Sequence, residues 1–574
     1  MHITHRPAIR GRQYAVASVH YLATMAGLQI LAQGGNAADA GVATGLCINV
    51  LEPELAHFGG VAPIIYCPGD GGPVETISGV GRWPRAASRA YFQREHGGDL
   101  PDGVLRTVTP AAADAWLTAL SRYGTMSFAQ VVAPALALAE NGRPVDERFH
   151  AALRDPEHMV WPTTKAVFHR NGHIPAVGEL FQWPELAASF RLMVAAEAAA
   201  DGDRQAGIAA ARDVYYRGEI AQRMVAFHQA QGGFMTMADL AEFHVGIEAP
   251  ERVHYKGYDV YSCGPWCQGP AMLMLLQMLQ PLDLVGMGHN SAAYLHTLLE
   301  ATKLAFADRE AYFGDPEFVD VPLDVLLDAD YAAARLGAID PERAVIGMPP
   351  AGDLNPWRPT SAAPSRHKPQ PGPPNKAEWH SDTSYLCVVD AAGNTFSATP
   401  SDGLGSSPVV PGNGFPVSGR GYQSWLDDDH PSRLEPWKRP RLTPNPALVL
   451  KDGKPVMALG CPGGDAQVQA MLQVFLNMVE FGMEPQTAIE APRVISHSFP
   501  NSFWPHHSRP GEVTIEERIP AAIRAELAAK GHKLVLDGAW SGKVARVCAI
   551  KIEAESGVRT AGADPRSTSY AAGW

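Results

Sequence analysis

Apolar residues recur at helical spacing through much of the chain before residue 349, then give way to short β-prone runs. Residues 22–32 form the first clear amphipathic segment. Gly34-Gly35 ends it, and Asn36 is placed to cap a second helix over 37–49. Pro110 stands near the start of a helix over 112–123, and another follows over 128–140, stopped by Asn141-Gly142. A further helix is predicted over 291–306. Residues 349–382 are rich in proline and poor in aliphatic side chains, a composition that builds no core and reads as an exposed, flexible segment. Residues 383–389 then read as a strand, 391–394 as a turn and 395–399 as the returning strand. More strands are predicted over 447–450, 456–459, 533–536 and 544–552, with a helix over 466–481. No internal repeat appears.

With 574 residues, 46% of them apolar and 19% charged, the chain has the material for a large globular core. Its formal net charge of −13 repels phosphate backbones, which argues against a nucleic-acid partner. No apolar run is long enough for a membrane helix, and the first residues lack the apolar region of a signal peptide. With only seven cysteines, a reduced cytoplasmic location is expected. Cys263 and Cys267 have C-x3-C spacing without a second ligand pair, and His506-His507 has no regular ligand cluster beside it. Both read as ordinary loop residues, and neither a metal nor a cofactor is expected. Asp427-Asp428-Asp429 reads as a solvated loop.

The chemistry centres on Asp382-Thr383-Ser384. By itself a threonine at a strand start is an ordinary strand residue. A threonine that becomes a chain terminus is different, because its α-amine, with a reference pKa of about 7.7–8.0, can take the proton of its own hydroxyl. Such a nucleophile requires the peptide bond after Asp382 to break. Pro462-Gly463-Gly464, read locally, is a tight turn.

Five separated motifs give these residues a context. They are His20-Tyr21-Leu22-Ala23 with Gly34-Gly35-Asn36-Ala37-Ala38-Asp39-Ala40; Glu52-Pro53 with Gly59-Gly60; Asp382-Thr383-Ser384-Tyr385 through Gly393-Asn394; Gly460-Cys461-Pro462-Gly463-Gly464-Asp465; and Gly562-Ala563-Asp564-Pro565-Arg566. In this order they resemble the γ-glutamyltranspeptidase family of N-terminal-nucleophile (Ntn) hydrolases nearly end to end. The resemblance implies an α+β fold, a four-layer αββα sandwich. It also implies self-cleavage between Asp382 and Thr383, giving a large chain of residues 1–382 and a small chain of residues 383–574. These would stay together as a heterodimer, possibly paired into a dimer of heterodimers. By the same resemblance Thr383 is the nucleophile, Ser384 a neighbouring hydroxyl, Ser401 the group that holds the free amine, and Gly463 and Gly464 the oxyanion donors.

The substrate positions depart from the family. Where the family places an arginine for the glutamyl carboxylate, this chain has Val80, with Arg82 two residues on. Its paired serines fall on Leu442-Thr443, an asparagine falls on Gly403, and Arg420 stands near the place of an acidic, amine-binding residue. Buried charges of a glutamyl group would then lack partners. The pattern is similar to a divergent branch that includes oxamate amidohydrolases and cephalosporin-acylase-like enzymes. The expected activity is hydrolysis of a small amide or acyl substrate with an anionic group, bound through Arg82, Arg420 or Thr443, by way of an acyl-enzyme on Thr383. The alternatives are a true γ-glutamyltransferase or glutathione hydrolase, and a non-catalytic binding protein with the same fold.

Overall fold

A computed structural model describes residues 4–358 and 382–574. Most of the proline-rich stretch read as flexible lies outside the described residues. Two seven-stranded sheets, with every neighbouring pair of strands antiparallel, lie at the centre. The first runs in the order Tyr570–Gly573, Ala15–Ser18, Leu386–Val389, Thr395–Ala398, Ile64–Cys67, Glu75–Ile77, Ile247–Glu248. The second runs Ile9–Gly11, Arg559–Ala563, Cys548–Ile552, Lys454–Gly460, Ala447–Lys451, Tyr258–Ser262, Glu251–Tyr255.

Strand alternation sorts the side chains into three cores. Leu386 and Val388 pack with Val16 and Phe396 against the helices Ala37–Leu51 and Ala112–Tyr123. Their neighbours Tyr385, Cys387 and Val389 face the other way, onto Leu448, Ala458 and Ile550 of the second sheet. The far face of that sheet, with Val449 and Leu459, packs on the helices Gly269–Leu279, Ala292–Tyr312 and Ala466–Val479. Helix, sheet, sheet and helix therefore form the four layers of an αββα sandwich. Both sheets combine strands from before and after residue 382, so neither part has a complete core of its own.

Close packing at the first sheet depends on small residues. A Cβ at Gly41 would stand 2.4 Å from the Phe396 ring and one at Gly45 would stand 2.5 Å from Trp116, so every residue of Ala37–Leu51 is buried. Asn36 caps this helix in a reciprocal pair with Asp39, as its sequence predicts. The Asp390 carboxylate accepts from Ala37 N (2.9 Å) and from the turn residues Ala392 and Asn394, tying the Leu386–Ala398 hairpin to the helix start.

The predicted helices over 22–32, 37–49, 112–123, 128–140 and 466–481 are present within two residues at each end. The one over 291–306 extends to Tyr312. The strand over 544–552 is shorter, Cys548–Ile552, because Val544 lies in a 3-10 turn. Residues 533–536 form a strand of a separate three-stranded sheet beside the sandwich. Cys263, Cys267 and His506 are buried where loop positions were expected, His506 lying flat on Trp425 with ring centres 3.7 Å apart. Asp427, Asp428 and Asp429 are exposed, with Asp428 paired to Arg89.

His228, inside the helix Glu219–Ala230, is buried, and burial pushes its imidazole down to about 4. Below its ordinary value of 6.5 the unfolded chain takes up a proton that the folded chain refuses. The native protein should thus lose stability, relative to a His228→Gln variant, by about 1.4 kcal/mol for each pH unit as pH falls from 6.5 toward 4. Denaturant melts across that window check this; parallel curves for the two proteins would contradict it.

Candidate active site

The Leu386–Ala398 hairpin carries its register beyond the paired strands. Leu386 faces Ala398, and the same register places Ser401 opposite Thr383, where an isolated antiparallel bridge joins them. Thr383 is fully buried. Its Oγ1 lies 2.7 Å from Ser401 Oγ, and Ser401 Oγ lies 2.7 Å from the Asp382 carbonyl oxygen. A carbonyl only accepts, so the single Ser401 proton goes to Asp382, and the Thr383 hydroxyl donates to Ser401. The same carbonyl accepts from Asp402 N (3.0 Å) and Arg420 Nη2 (3.0 Å). Three donors thus converge on the carbonyl ahead of Thr383, and a donated hydrogen bond orients the Thr383 hydroxyl beside it.

Arg420 is fully buried and also donates to Ser401 Oγ. Its charge is met by the Asp382 carboxylate, with Oδ1 at 3.0 Å, while Tyr422 OH donates to Oδ2 at 2.7 Å. Burial works against the guanidinium charge, but Asp382, Tyr422 and Asp402 outweigh it and hold the group above its usual range. Behind it, His57 Nε2 is 3.9 Å from Asp402 Oδ1. Burial and the neighbouring Arg420 push His57 down to about 3, so its ring is neutral. Burial raises the Asp402 carboxyl, whose oxygens accept from Ser406 (3.0 Å) and Ser418 (2.6 Å).

Ser384 donates to Glu52 Oε2 at 2.7 Å. Glu54, two residues on, is buried, and burial pushes its carboxyl up to about 7, with the nearby Arg148 opposing. Arg143 is buried over the Phe149 ring, and none of its three guanidinium nitrogens has a hydrogen-bond partner among the described residues.

Gly463 and Gly464 follow the strand Lys454–Gly460 and precede the helix Ala466–Val479, with φ of 139° and 56°. Side-chain bridges connect them to Thr383. Arg420 reaches Gln423, Gln423 donates to Thr443 Oγ1, and Gln268 donates to both the Thr443 and Gly464 carbonyls. The glycines border a cleft of about 360 Å3 that Phe503 also lines, and the Phe503 ring packs on Tyr422 with centres 5.1 Å apart. Arg148, Arg509, Lys543 and Arg546 line this cleft, with Asp465 and Asp537 as its acids. Arg309 neutralises Asp465 from outside. The lining thus holds four basic side chains and two acids, and Arg509 and Arg148 are themselves paired with Glu512 and Glu54 outside it.

Thr383, Ser401 and Arg420 come together, with Ser384 beside them and Thr443, Gly463 and Gly464 one hydrogen-bonded network away. Arg82 does not line the cleft; it bonds Trp437 O (3.0 Å) and Glu317 (2.5 Å). Val80 and Leu442 are buried apolar residues. A Cβ at Gly403 would stand 2.1 Å from Glu54 O, so no asparagine fits there. Sequence reasoning did not single out Tyr422, Arg148 or Arg546, and Glu52 appeared only as part of a motif. Tyr422 stands two residues after Arg420, a spacing that was available as a signal; the two arginines carry no local pattern. Among the described residues, His296, Glu300 and His532 are grouped elsewhere with possible ligand atoms within 4.8 Å of one another. Lys303 Nζ already bonds Glu300 at 2.6 Å, and the two histidines bond each other at 2.9 Å.

A family model described as Gamma-glutamyltranspeptidase matches residues 23–574. The chain is 32% identical over 580 residues to the glutathione hydrolase-like YwrD proenzyme of Bacillus subtilis (strain 168), covering 99% of each. Among solved structures it is similar to LmbA2991HD, with a TM-score of 0.92, 38% identity and 100% of both chains covered. It is also similar to cephalosporin acylase from Bacillus halodurans, with a TM-score of 0.84, 28% identity and 100% and 98% coverage.

At Gly463 the positive φ and the neighbouring Ala545 Cβ, 2.9 Å from a built Cβ, exclude a side chain without strain. Gly463→Ala should cost about 1–3 kcal/mol in a denaturant melt. Unchanged stability would show that the loop relaxes freely.

Proposed function

Because the chain belongs to the γ-glutamyltranspeptidase family, we propose that it is a self-processing Ntn amidohydrolase with Thr383 as its nucleophile. The observation that carries this reading is the Asp382 carbonyl, held by Ser401, Arg420 and Asp402 N beside the Thr383 hydroxyl. Thr383 Oγ1 adds to the Asp382 carbonyl carbon as its proton passes to Ser401 Oγ, the Ser401 hydroxyl gives up its own proton toward the Thr383 nitrogen as the adduct collapses, and the donors around the carbonyl stabilise the oxyanion. The C–N bond then breaks, the Thr383 nitrogen takes a proton and an ester remains. Water hydrolyses the ester, giving an Asp382 carboxylate and a free Thr383 amine. That amine, held by Ser401, serves as base for each later turnover. The N–H groups of Gly463 and Gly464 receive the substrate oxyanion, and Ser384, fixed by Glu52, lies beside the nucleophile. The two chains remain a heterodimer, since strands of both interleave in each sheet.

The substrate in this reading is a small amide with an anionic group, attracted by Arg420 and the basic side chains of the cleft, with Thr443 orienting Gln423 and thereby Arg420. Hydrolysis is favoured over transfer, because water needs no acceptor site. Arg82, already paired, contributes from outside the cleft at most. Glutathione hydrolysis is the second reading, favoured by the name of the YwrD relative. Against it stand Val80, Leu442 and Gly403, which leave the glutamyl ends without partners.

Purified protein on a denaturing gel should give two bands, the smaller beginning Thr-Ser-Tyr. Thr383→Ala should remain one chain and split no amide. Self-cleavage of that variant, or full activity in an uncut native chain, would refute the reading. The mature enzyme should also turn over γ-glutamyl anilides poorly; efficient transfer from glutathione would favour the second reading.

A further inference from the structure

The residue lost from the site on cleavage is itself shaped like an acyl group with a second carboxylate. Asp382 presents a carbonyl to Ser401, Arg420 and Asp402 N. Through the same side of the pocket it presents a carboxylate, Oδ1 to Arg420 and Oδ2 to Tyr422. Two carbons separate these groups, as in a succinyl or aspartyl unit. Arg420 and Tyr422 are both buried, so the carboxylate meets a desolvated cation and a hydroxyl. Phe503 stands between this pair and the cleft: its ring is 5.7 Å from the Arg420 guanidinium carbon and it lines the cleft wall.

We propose that Asp382 is an internal plug for an anion subsite made by Arg420 and Tyr422, and that the mature enzyme takes four-carbon diacid monoamides of the succinyl type into it. The inference rests on the self-processing reading. While the Asp382–Thr383 bond is whole, the plug is tethered and a soluble carboxylate cannot compete with it. Once the bond is hydrolysed, Asp382 is a chain end, and its contacts to Ser401, Arg420, Tyr422 and Asp402 N are ones that a free diacid can also make. Its departure leaves a buried guanidinium without its carboxylate, a state that binding of an anionic acyl group relieves. The acyl carbonyl then lies a fixed two carbons from the anchored carboxylate, which places it at the Thr383 hydroxyl.

The test uses the native, cleaved protein and the uncut Thr383→Ala chain. Acetyl, succinyl and neutral succinamoyl p-nitroanilides are compared by kcat/KM, and succinate binding is followed by calorimetry. The succinyl anilide should exceed both others by at least roughly tenfold, the equivalent of about 1.4 kcal/mol for the buried ion pair. Succinate should bind the cleaved protein and not the uncut chain. Equal turnover of the three anilides, or equal succinate binding to both proteins, would overturn the subsite. A native chain that never cleaves overturns the processing reading and this one with it. A cleaved, amide-splitting enzyme indifferent to the distal carboxylate overturns this one alone.

Discussion

A buried guanidinium needs an opposite charge, and at Arg420 that charge comes from the residue immediately before Thr383. This ion pair fixes the Asp382 side chain, and with it the carbonyl that Ser401 and Asp402 N also grip. The strand end is therefore held from both sides of the Asp382–Thr383 bond. Neutral His57 behind Arg420 adds no competing charge, and Asp402 is satisfied by two serines. The carboxylate bonded directly to this cation therefore belongs to the residue whose peptide bond the proposed chemistry breaks, with Asp402 as a second acid nearby.

The sandwich makes such a break tolerable. Leu386–Val389 is buried on both faces, between Ala15–Ser18 and Thr395–Ala398, and it contributes to two of the three cores. Cutting the chain at 382 removes a covalent link but none of these contacts. Tyr385 also locks the sheets together: a Cβ on Gly460 would lie 2.2 Å from its ring, so the strand that leads to Gly463 and Gly464 runs against the strand that begins at Thr383. Thr383 and the glycine loop are therefore placed by sheet-on-sheet packing, with hydrogen bonds through Gln423 and Gln268 setting the finer geometry.

Much of this was legible in the sequence because it is local. The turn at 391–394 and its flanking strands set a hairpin register, and continuing that register puts Ser401 opposite Thr383. Asn36 and Asp39 announce their helix start in the same way. What stayed hidden depends on distant partners. Arg82 looks like a carboxylate-binding arginine beside Val80, yet Glu317, far along the chain, claims it. Arg148, Arg509 and Arg546 meet in one cleft from separate parts of the chain, and no spacing signals this. His506 reads as a loop histidine until Trp425 is found against its ring.

The departures in the pocket share one electrostatic direction. Val80, Leu442 and Gly403 remove polar or charged groups from one part of the site, and the Gly403 backbone lies so close to Glu54 that no side chain can return there. The acidic residue that the family resemblance implies for a substrate ammonium has no clean match, and the nearby segment carries a cation, Arg420. A zwitterionic acyl group would then bring its ammonium toward a buried guanidinium, a like charge that opposes it. An acyl group with only a carboxylate meets the opposite situation. In the proposed reading Arg420 therefore acts mainly by rejecting one class of substrate, and selectivity by rejection requires no new contact beyond the Arg420 side chain itself.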